Sequence, residues 1–417
     1  MNSLTDKNMK NCLIITFDYH RENDLPVSFA VANIMAYIQA SISNDQQVTK
    51  AFSFNMYHPS DLLTSQLDLL LQMYDLTEFH VIAISLYCWC REFVNPLISV
   101  VKYINPTALV VLGGYEVNLN DEKMLVSEFP SCDIFIAGHA EASMVSLVKG
   151  DQVNHKFMNI NFDINNLPNI YESEILRINY SDKLRFESKR GCIFSCTFCA
   201  HRDIVNNALI EKEPKVVIKE LEYLNSIEFA KLNFVDPTYN TGRTYLKILD
   251  AMVKMKFRHK VSFQTRFELI KGEEGYQFLE LVQKLNCILE FGLQTINYDE
   301  SVVINRVNDI DRVVEIIDEL NRRSIIYSVS LIYGLPKQTL DSFKASIEFL
   351  QKHHCKNIEC NPLMLIKGTN LYYEKDLYNL VEEKINGIDY VTSSNSFSRE
   401  DYNQMQLVAQ RYSNACL

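Results

Sequence analysis

Three cysteines, Cys192, Cys196 and Cys199, fall within eight residues of this 417-residue chain, in Arg190-Gly191-Cys192-Ile193-Phe194-Ser195-Cys196-Thr197-Phe198-Cys199. Thiolates spaced this way in one loop converge on one soft metal centre. Two centres suit them. One is zinc with a fourth ligand elsewhere, for which His201 is well placed. The other is a four-iron cluster with one iron left open. Inert buried thiols are the third reading, and the spacing speaks against it. The chain has eleven cysteines in all, an odd number that resists complete pairing, and disulfides are not expected in a reducing compartment. Cys88 with Cys90, and Cys355 with Cys360, are too loosely grouped for a second cluster.

The loop follows the first of six apolar segments: Leu184–Lys189, Lys231–Val235, Lys260–Thr265, Ile288–Gln294, Ile326–Tyr333 and Asn357–Leu365. Helical patterns such as Pro214–Leu224 and Asp311–Arg323 lie between them. Six strand–helix units predict a partial (β/α)6 barrel, short of a closed one, with reactive side chains at the strands' carboxyl ends. The front half repeats the rhythm. Cys12–Phe17, Val48–Met56, His80–Tyr87, Ala108–Leu112 and Asp133–Ala137 read as strands, with helices over Pro26–Ala40, over Ser60–Tyr74 and up to about Tyr103. Near-continuously apolar strands predict a parallel sheet covered on both faces, an α/β, doubly wound, Rossmann-like domain. Pro168 and seven asparagines between Asn154 and Asn179 interrupt it. The expected organisation is a front domain over 1–149, a linker over 150–183, the barrel over 184–370, and a short C-terminal helical segment over 371–417 whose last helix is capped by Ser398.

Apolar residues at 47% and charged residues at 22% describe a globular protein. No uncharged apolar run reaches the ~18 residues of a membrane span, and the first residues lack a secretory apolar stretch. The expectation is a cytoplasmic protein without a membrane partner. The 41 basic residues against 52 acidic ones, net −11, argue against duplex nucleic acid as a partner.

The cysteine spacing, with Phe198 before the last cysteine and Arg190-Gly191 ahead of the first, resembles the radical S-adenosylmethionine (SAM) enzymes. The resemblance covers nearly the whole chain, and the front half resembles the cobalamin-binding subset of that family. It implies that Cys192, Cys196 and Cys199 hold a 4Fe-4S cluster whose open iron chelates the amino and carboxylate groups of SAM. One electron, from an external donor such as flavodoxin or ferredoxin, then cleaves the sulfonium to a 5′-deoxyadenosyl radical. The resemblance also puts SAM contacts at successive strand ends. Besides Phe198 they are Asp236, toward the methionine amino group, and Arg266, toward its carboxylate. Gln294 and Thr295 are placed at the ribose, and Gly334 in Tyr333-Gly334-Leu335-Pro336 at the adenine. Arg306 falls where relatives often carry an arginine. Read as residues alone, Asp236 is a turn acid before Pro237 and Arg266 a surface ion-pair partner.

In the front half, Asp18-Tyr19-His20 is similar to the Asp-x-His of the cobalamin fold, with Asn23 where that fold has glycine. His20 is better read as a loop residue than as a cobalt ligand. Ser85-Leu86 and Gly113-Gly114 match the fold's Ser-x-Leu and Gly-Gly. The resemblance implies cobalamin contacts at Ser85, Leu86, Trp89, Gly113 and Gly114. In the loops that follow it adds Tyr115, Glu116 and Gly138. Relatives often read Gly-Glu-Gly-Glu where this chain has Gly138-His139-Ala140-Glu141. The function so implied is cobalamin-dependent methyl transfer to an unactivated carbon of a small-molecule or peptide substrate. The alternative keeps the radical but performs ring formation, rearrangement or sulfur chemistry, with cobalamin or with a degenerate cobalamin domain. A zinc-stabilised binding protein is the reading from another class.

Overall fold

The protein is described by a computed structural model over residues 9–42, 47–118, 121–200 and 209–412. His201 and Cys416 lie outside the described residues. The chain divides into two compact units, Met1–Asn179 and Tyr180–Leu417. Among the described residues no helix is long and apolar enough to cross a membrane.

In the first unit β1 Cys12–Asp18, β2 Thr49–Asn55, β3 Val81–Ser85, β4 Leu109–Gly113, β5 Ile134–Ile136 and β6 Phe157–Met158 form one parallel sheet in the order β2-β1-β3-β4-β5-β6. Strand β1 shows why the strands are apolar on both faces. Leu13, Ile15 and Phe17 join one core with Val94 and Phe129, while Cys12 and Ile14 join a second core with Val31 and Ile38. The strand order reverses between β1 and β3, so the carboxyl ends of those strands form the edge where such sheets take ligands. The segment expected as linker is largely part of this unit: β6 pairs with β5, and the boundary falls at Asn179. A two-residue strand among asparagines carries no periodicity to read.

At that edge Gly114 has φ 122°, and a Cβ added there would lie 2.6 Å from the Leu86 carbonyl oxygen. A Cβ on Gly113 would meet nothing nearer than 3.8 Å. Gly114→Ala is therefore expected to destabilise the first unit by ~1–3 kcal/mol, and Gly113→Ala by far less. Thermal unfolding of the two variants checks this; equal melting temperatures would contradict the close-approach account. The glycine at 114 serves the packing of two loops, whatever else passes nearby.

In the second unit β7 Lys183–Phe186 is followed by β8 Lys189–Arg190 and β9 Ile210–Glu211, which pair antiparallel with each other. Then come β10 Lys231–Phe234, β11 Lys260–Thr265, β12 Cys287–Gln294, β13 Ile326–Tyr333 and β14 Ile358–Pro362. The sheet runs β14-β13-β12-β11-β10-β7, all parallel and in sequence order, as a partial barrel requires. The C-terminal segment departs from the helical expectation. β15 Val381–Ile385 and β16 Ile388–Ser393 form an antiparallel hairpin before the helix Arg399–Gln410, which Ser398 caps as expected. Its turn is Asn386-Gly387, both at positive φ, 50° and 82°. That dipeptide is the strongest short hairpin signal a sequence offers, and it was there to be read.

Candidate active site

The cysteine loop departs from β8 with Cys196 buried and Cys192 and Cys199 half-buried. It is held by segments remote in sequence. The Thr197 N–H donates to the Ile304 carbonyl at 3.0 Å, its hydroxyl to the Val303 carbonyl at 3.1 Å, and its carbonyl accepts from Leu371 at 2.9 Å. The Asn305 amide donates to the Ser195 hydroxyl at 2.8 Å. Within the loop the Cys199 N–H turns back to the Cys196 carbonyl at 3.2 Å, and Cys192 Sγ lies 3.8 Å from the Thr238 hydroxyl. Among the described residues no three His, Cys, Asp or Glu side chains converge tightly enough to hold a single metal ion.

Two guanidinium groups close in on this loop. Arg266 lies over the Phe194 ring, 3.6 Å from its centroid, and touches Glu268 at 2.5 Å. Asn240 clamps the Arg266 backbone, accepting from its N–H at 3.0 Å and donating to its carbonyl at 2.9 Å. Arg306 donates to the Gly292 carbonyl and reaches Cys196 Sγ at 4.0 Å. Burial, and then the charge of Arg266, pull the Arg306 guanidinium below its ordinary value. Its buried Nε has no hydrogen-bond partner among the described residues. An orphaned donor and a second guanidinium beside three thiols fit an anionic occupant, such as a thiolate-held cluster or a carboxylate.

Asp236 is placed differently from the expectation. It is fully buried, with Oδ1 accepting from the backbone N–H groups of Ser188 at 2.8 Å and Lys189 at 3.2 Å, and Oδ2 from the Ser188 hydroxyl at 2.5 Å. Its acceptor sites are taken up within the protein, so it anchors the turn from which the cysteine loop springs rather than offering a free carboxylate. Lys189, itself buried, donates to the carbonyls of Tyr239 at 2.8 Å and Thr241 at 2.5 Å. Burial lowers the lysine and raises the aspartate from their ordinary values, and each charge opposes the shift of the other. Nothing in the sequence marks Lys189, because a lysine at a strand end ordinarily reads as solvated.

Thr295 needs the same correction as a ribose contact. It is fully buried, donates to Glu300 Oε2 at 2.6 Å and accepts from the Asn297 N–H at 3.0 Å. Glu300 also accepts from Gln338 at 3.2 Å, and Gln338 Oε1 takes the Gly334 N–H at 2.7 Å. This chain of bonds clips the end of β12 to the end of β13. Burial raises Glu300 above the ordinary carboxyl value. Gln294, half-buried at a bulge, holds φ 70°, a strained conformation for a residue other than glycine. At Gly334, with φ 89°, the side where a Cβ would stand faces the Val391 carbonyl of β16 at 3.1 Å. Phe198 is half-buried beside Cys199.

On the ligand edge of the first unit, the Ser85 hydroxyl is buried without a hydrogen-bond partner among the described residues. The Trp89 indole N–H donates to the Phe17 carbonyl at 2.7 Å, and its ring stacks on Tyr87 at 4.6 Å. Tyr115 and Gly138 are exposed. Leu86 and Glu116 are not available to a ligand. Leu86 is fully buried in the core, and Glu116 is buried in an ion pair with Arg91, which also holds Glu128 at 2.6 Å. His20 Nε2 lies 2.9 Å from the Ser53 hydroxyl, which donates to Asp18 at 2.8 Å.

Residues 186–350 match the family model of the radical SAM superfamily. The chain therefore carries a radical SAM domain, of the family whose cofactors are a 4Fe-4S cluster and SAM. The radical SAM methyltransferase TsrM from Kitasatospora setae, solved with cobalamin and a [4Fe-4S] cluster, shares the fold with a TM-score of 0.68 at 12% identity, over 91% of this chain and 82% of that one. OxsB, a cobalamin-dependent SAM radical enzyme solved with aquacobalamin and SAM, gives 0.68 at 10% identity, over 95% of this chain and 66% of that one. The architecture is thus theirs, a Rossmann-like front domain and a radical SAM domain. The anaerobic magnesium-protoporphyrin IX monomethyl ester cyclase of Cereibacter sphaeroides is 20% identical over 279 residues, 59% of this chain and 45% of the cyclase. The chain spans about half the length, or less, of the curated relatives it matches.

Proposed function

We propose that this protein is a cobalamin-dependent radical SAM enzyme that transfers a methyl group to an unactivated carbon of a small-molecule or peptide substrate. The observation that carries the radical part is the seat of the Cys192–Cys199 loop at the carboxyl end of the barrel, with Arg266 and Arg306 beside it. Cys192, Cys196 and Cys199 would hold a 4Fe-4S cluster there, which would supply the electron for cleaving SAM to a 5′-deoxyadenosyl radical. The residues of the chain hold and orient: Asp236 fixes the loop, Arg266 would pair with the methionine carboxylate, and the Glu300–Gln338 clip aligns the strand ends that would flank the nucleoside. The electron comes from a small external donor such as flavodoxin or ferredoxin.

The cobalamin part is supported by the strand order of the first unit and by the orphaned Ser85 hydroxyl at its ligand edge. Cobalamin held there, near Ser85, Trp89, Tyr115 and Gly138, would supply the methyl group. A second reading, ring formation without methyl transfer, draws on the likeness to the Cereibacter cyclase. Anaerobic reconstitution with iron, sulfide and hydroxocobalamin tests both. Iron together with bound cobalamin and dithionite-driven release of 5′-deoxyadenosine is the expected result. Absence of cobalamin would favour the second reading, and absence of iron would refute both.

Arg266→Ala is expected to weaken SAM binding roughly ten- to hundredfold, ~1.5–3 kcal/mol, because a charge-assisted contact to the carboxylate is lost. The visible spectrum of the cluster should not change. Calorimetry with SAM on the reconstituted variant decides, and unchanged affinity would confine Arg266 to its contacts with Phe194 and Glu268.

A further inference from the structure

Strand β15 is an edge. Its one strand neighbour among the described residues is β16, and the two form a sheet by themselves. Of its five residues Val381, Glu383, Lys384 and Ile385 are exposed and Glu382 is half-buried. An open strand edge is a template for another strand. The hairpin fixes which backbone groups face outward. In a two-residue hairpin the residues flanking the turn bond each other, and bonded and unbonded pairs alternate from there. Ile385 and Ile388 flank Asn386-Gly387, so Ile385 and Glu383 turn their N–H and C=O groups toward β16. The far side of β16 agrees. The Asp389 carbonyl accepts from the Leu365 N–H at 2.8 Å, and the Val391 N–H donates to the Leu363 carbonyl at 3.0 Å, which leaves Ile388 and Tyr390 facing β15. Glu382 and Lys384 therefore direct their N–H and C=O groups away from β16, along the open edge.

The side chains of this edge are self-complementary about Glu383. Two antiparallel copies of β15, related by a two-fold axis at Glu383, set Glu382 opposite the second copy's Lys384 and Lys384 opposite its Glu382. The outward backbone groups of each copy then meet those of the other, with opposite charges beside them. Val381 meets Ile385, apolar against apolar. Glu383 meets its own copy, and each already carries Arg399 as a countercharge. The other two-fold registers that bring outward groups together shorten the overlap to three residues. They also set Lys384 on Lys384, or Glu382 on Glu382. Within the chain Glu382 holds Lys375 at 2.6 Å and Lys384 lies 3.8 Å from Asp389. These are solvent-facing pairs of small worth, which a second copy extends into a network. The charges of β15 thus select one register and do not close the edge.

We propose that β15 is a docking edge for a second copy of this chain, paired antiparallel about Glu383 so that the two hairpins form one four-stranded sheet. Five residues a side make a small interface, so the dimer is expected to be half formed only at roughly 10–100 µM.

Sedimentation equilibrium of the whole chain across that range reads the mass, and residue-resolved hydrogen exchange reads the edge. With rising concentration the N–H groups of Glu382 and Lys384 are expected to exchange several-fold more slowly. Those of Glu383 and Ile385, already bonded to β16, should change little. Lys384→Glu and Glu382→Lys each set like charges at both outward pairs, and each should weaken association by about tenfold or more. Mixed in equal amounts, the two variants bring glutamate opposite lysine at both positions. A heterodimer should then form about as readily as the unsubstituted dimer, a recovery that misfolding cannot imitate. A chain still monomeric well above that range would overturn the proposal, as would a dimer whose Glu382 and Lys384 N–H groups gain no protection, or a mixture that stays monomeric. Protection of those two groups already complete in the dilute monomer would mean that the chain covers its own edge, and would overturn it too. None of these readouts depends on iron or SAM, so the radical reading is tested apart from them.

Discussion

Alanine in place of any one of Cys192, Cys196 or Cys199 is expected to bring the iron content of the reconstituted protein to background, and SAM cleavage with it. All three thiolates are needed to hold a four-iron cluster while leaving one iron open. The loss should be confined to the cofactor. The loop is tied by Thr197 to Val303, Ile304 and Leu371 and by Asn305 to Ser195, none of which involves a sulfur. The apo variants should therefore melt close to the apo parent. Cys287→Ala is the contrasting control. That thiol is buried, and burial pushes it up to about 12, as for a packing residue. Its removal should lower the melting temperature and spare the iron. A variant of Cys192, Cys196 or Cys199 that kept full iron and full cleavage would end the cluster assignment.

The two parallel sheets were legible because their strands are long, apolar and regularly spaced by helices. The six strands of the barrel sheet each start within one residue of the apolar runs, and all but β7 and β14, which end three residues earlier, also end within one. What escaped was short or polar. β6, β8 and β9 are two residues each and exist only because a distant partner pairs with them. At the cysteines the spacing alone points to a shared metal centre, because that chemistry depends on residues close in sequence. The site was not legible at Asp236, Thr295, Leu86 and Glu116. Sequence can place a residue at a strand end, but the direction of its side chain is settled by partners far along the chain. Ser188 for Asp236, Glu300 for Thr295 and Arg91 for Glu116 are such partners. Buried polar networks are also the hardest thing to see in a sequence. Glu300 and Gln338 look like any solvated helix and turn residues, yet both are fully buried.

Asp236→Ala is expected to lower both the stability of the protein and its capacity for iron. The substitution removes the acceptor of three donors, the N–H groups of Ser188 and Lys189 and the Ser188 hydroxyl, and leaves the buried Lys189 ammonium with Glu211 as its remaining countercharge. Each buried donor left without its acceptor costs about 1–3 kcal/mol. Because the cysteine loop begins immediately after these residues, its entry angle is lost with them. Asp236→Asn keeps one acceptor oxygen and the shape, so it should retain part of both properties. Had Asp236 been a direct contact for the SAM amino group, Asp236→Ala would keep its iron and melting temperature and lose only SAM affinity. An anchoring residue predicts the reverse: less iron and a lower melting temperature, but unchanged SAM affinity in the fraction that carries a cluster. The double variant Asp236→Ala/Lys189→Met separates the two roles further. With the buried ammonium gone it should regain part of the lost melting temperature. A contact role gives no reason for any recovery, so a double variant no more stable than Asp236→Ala alone would count against the anchor.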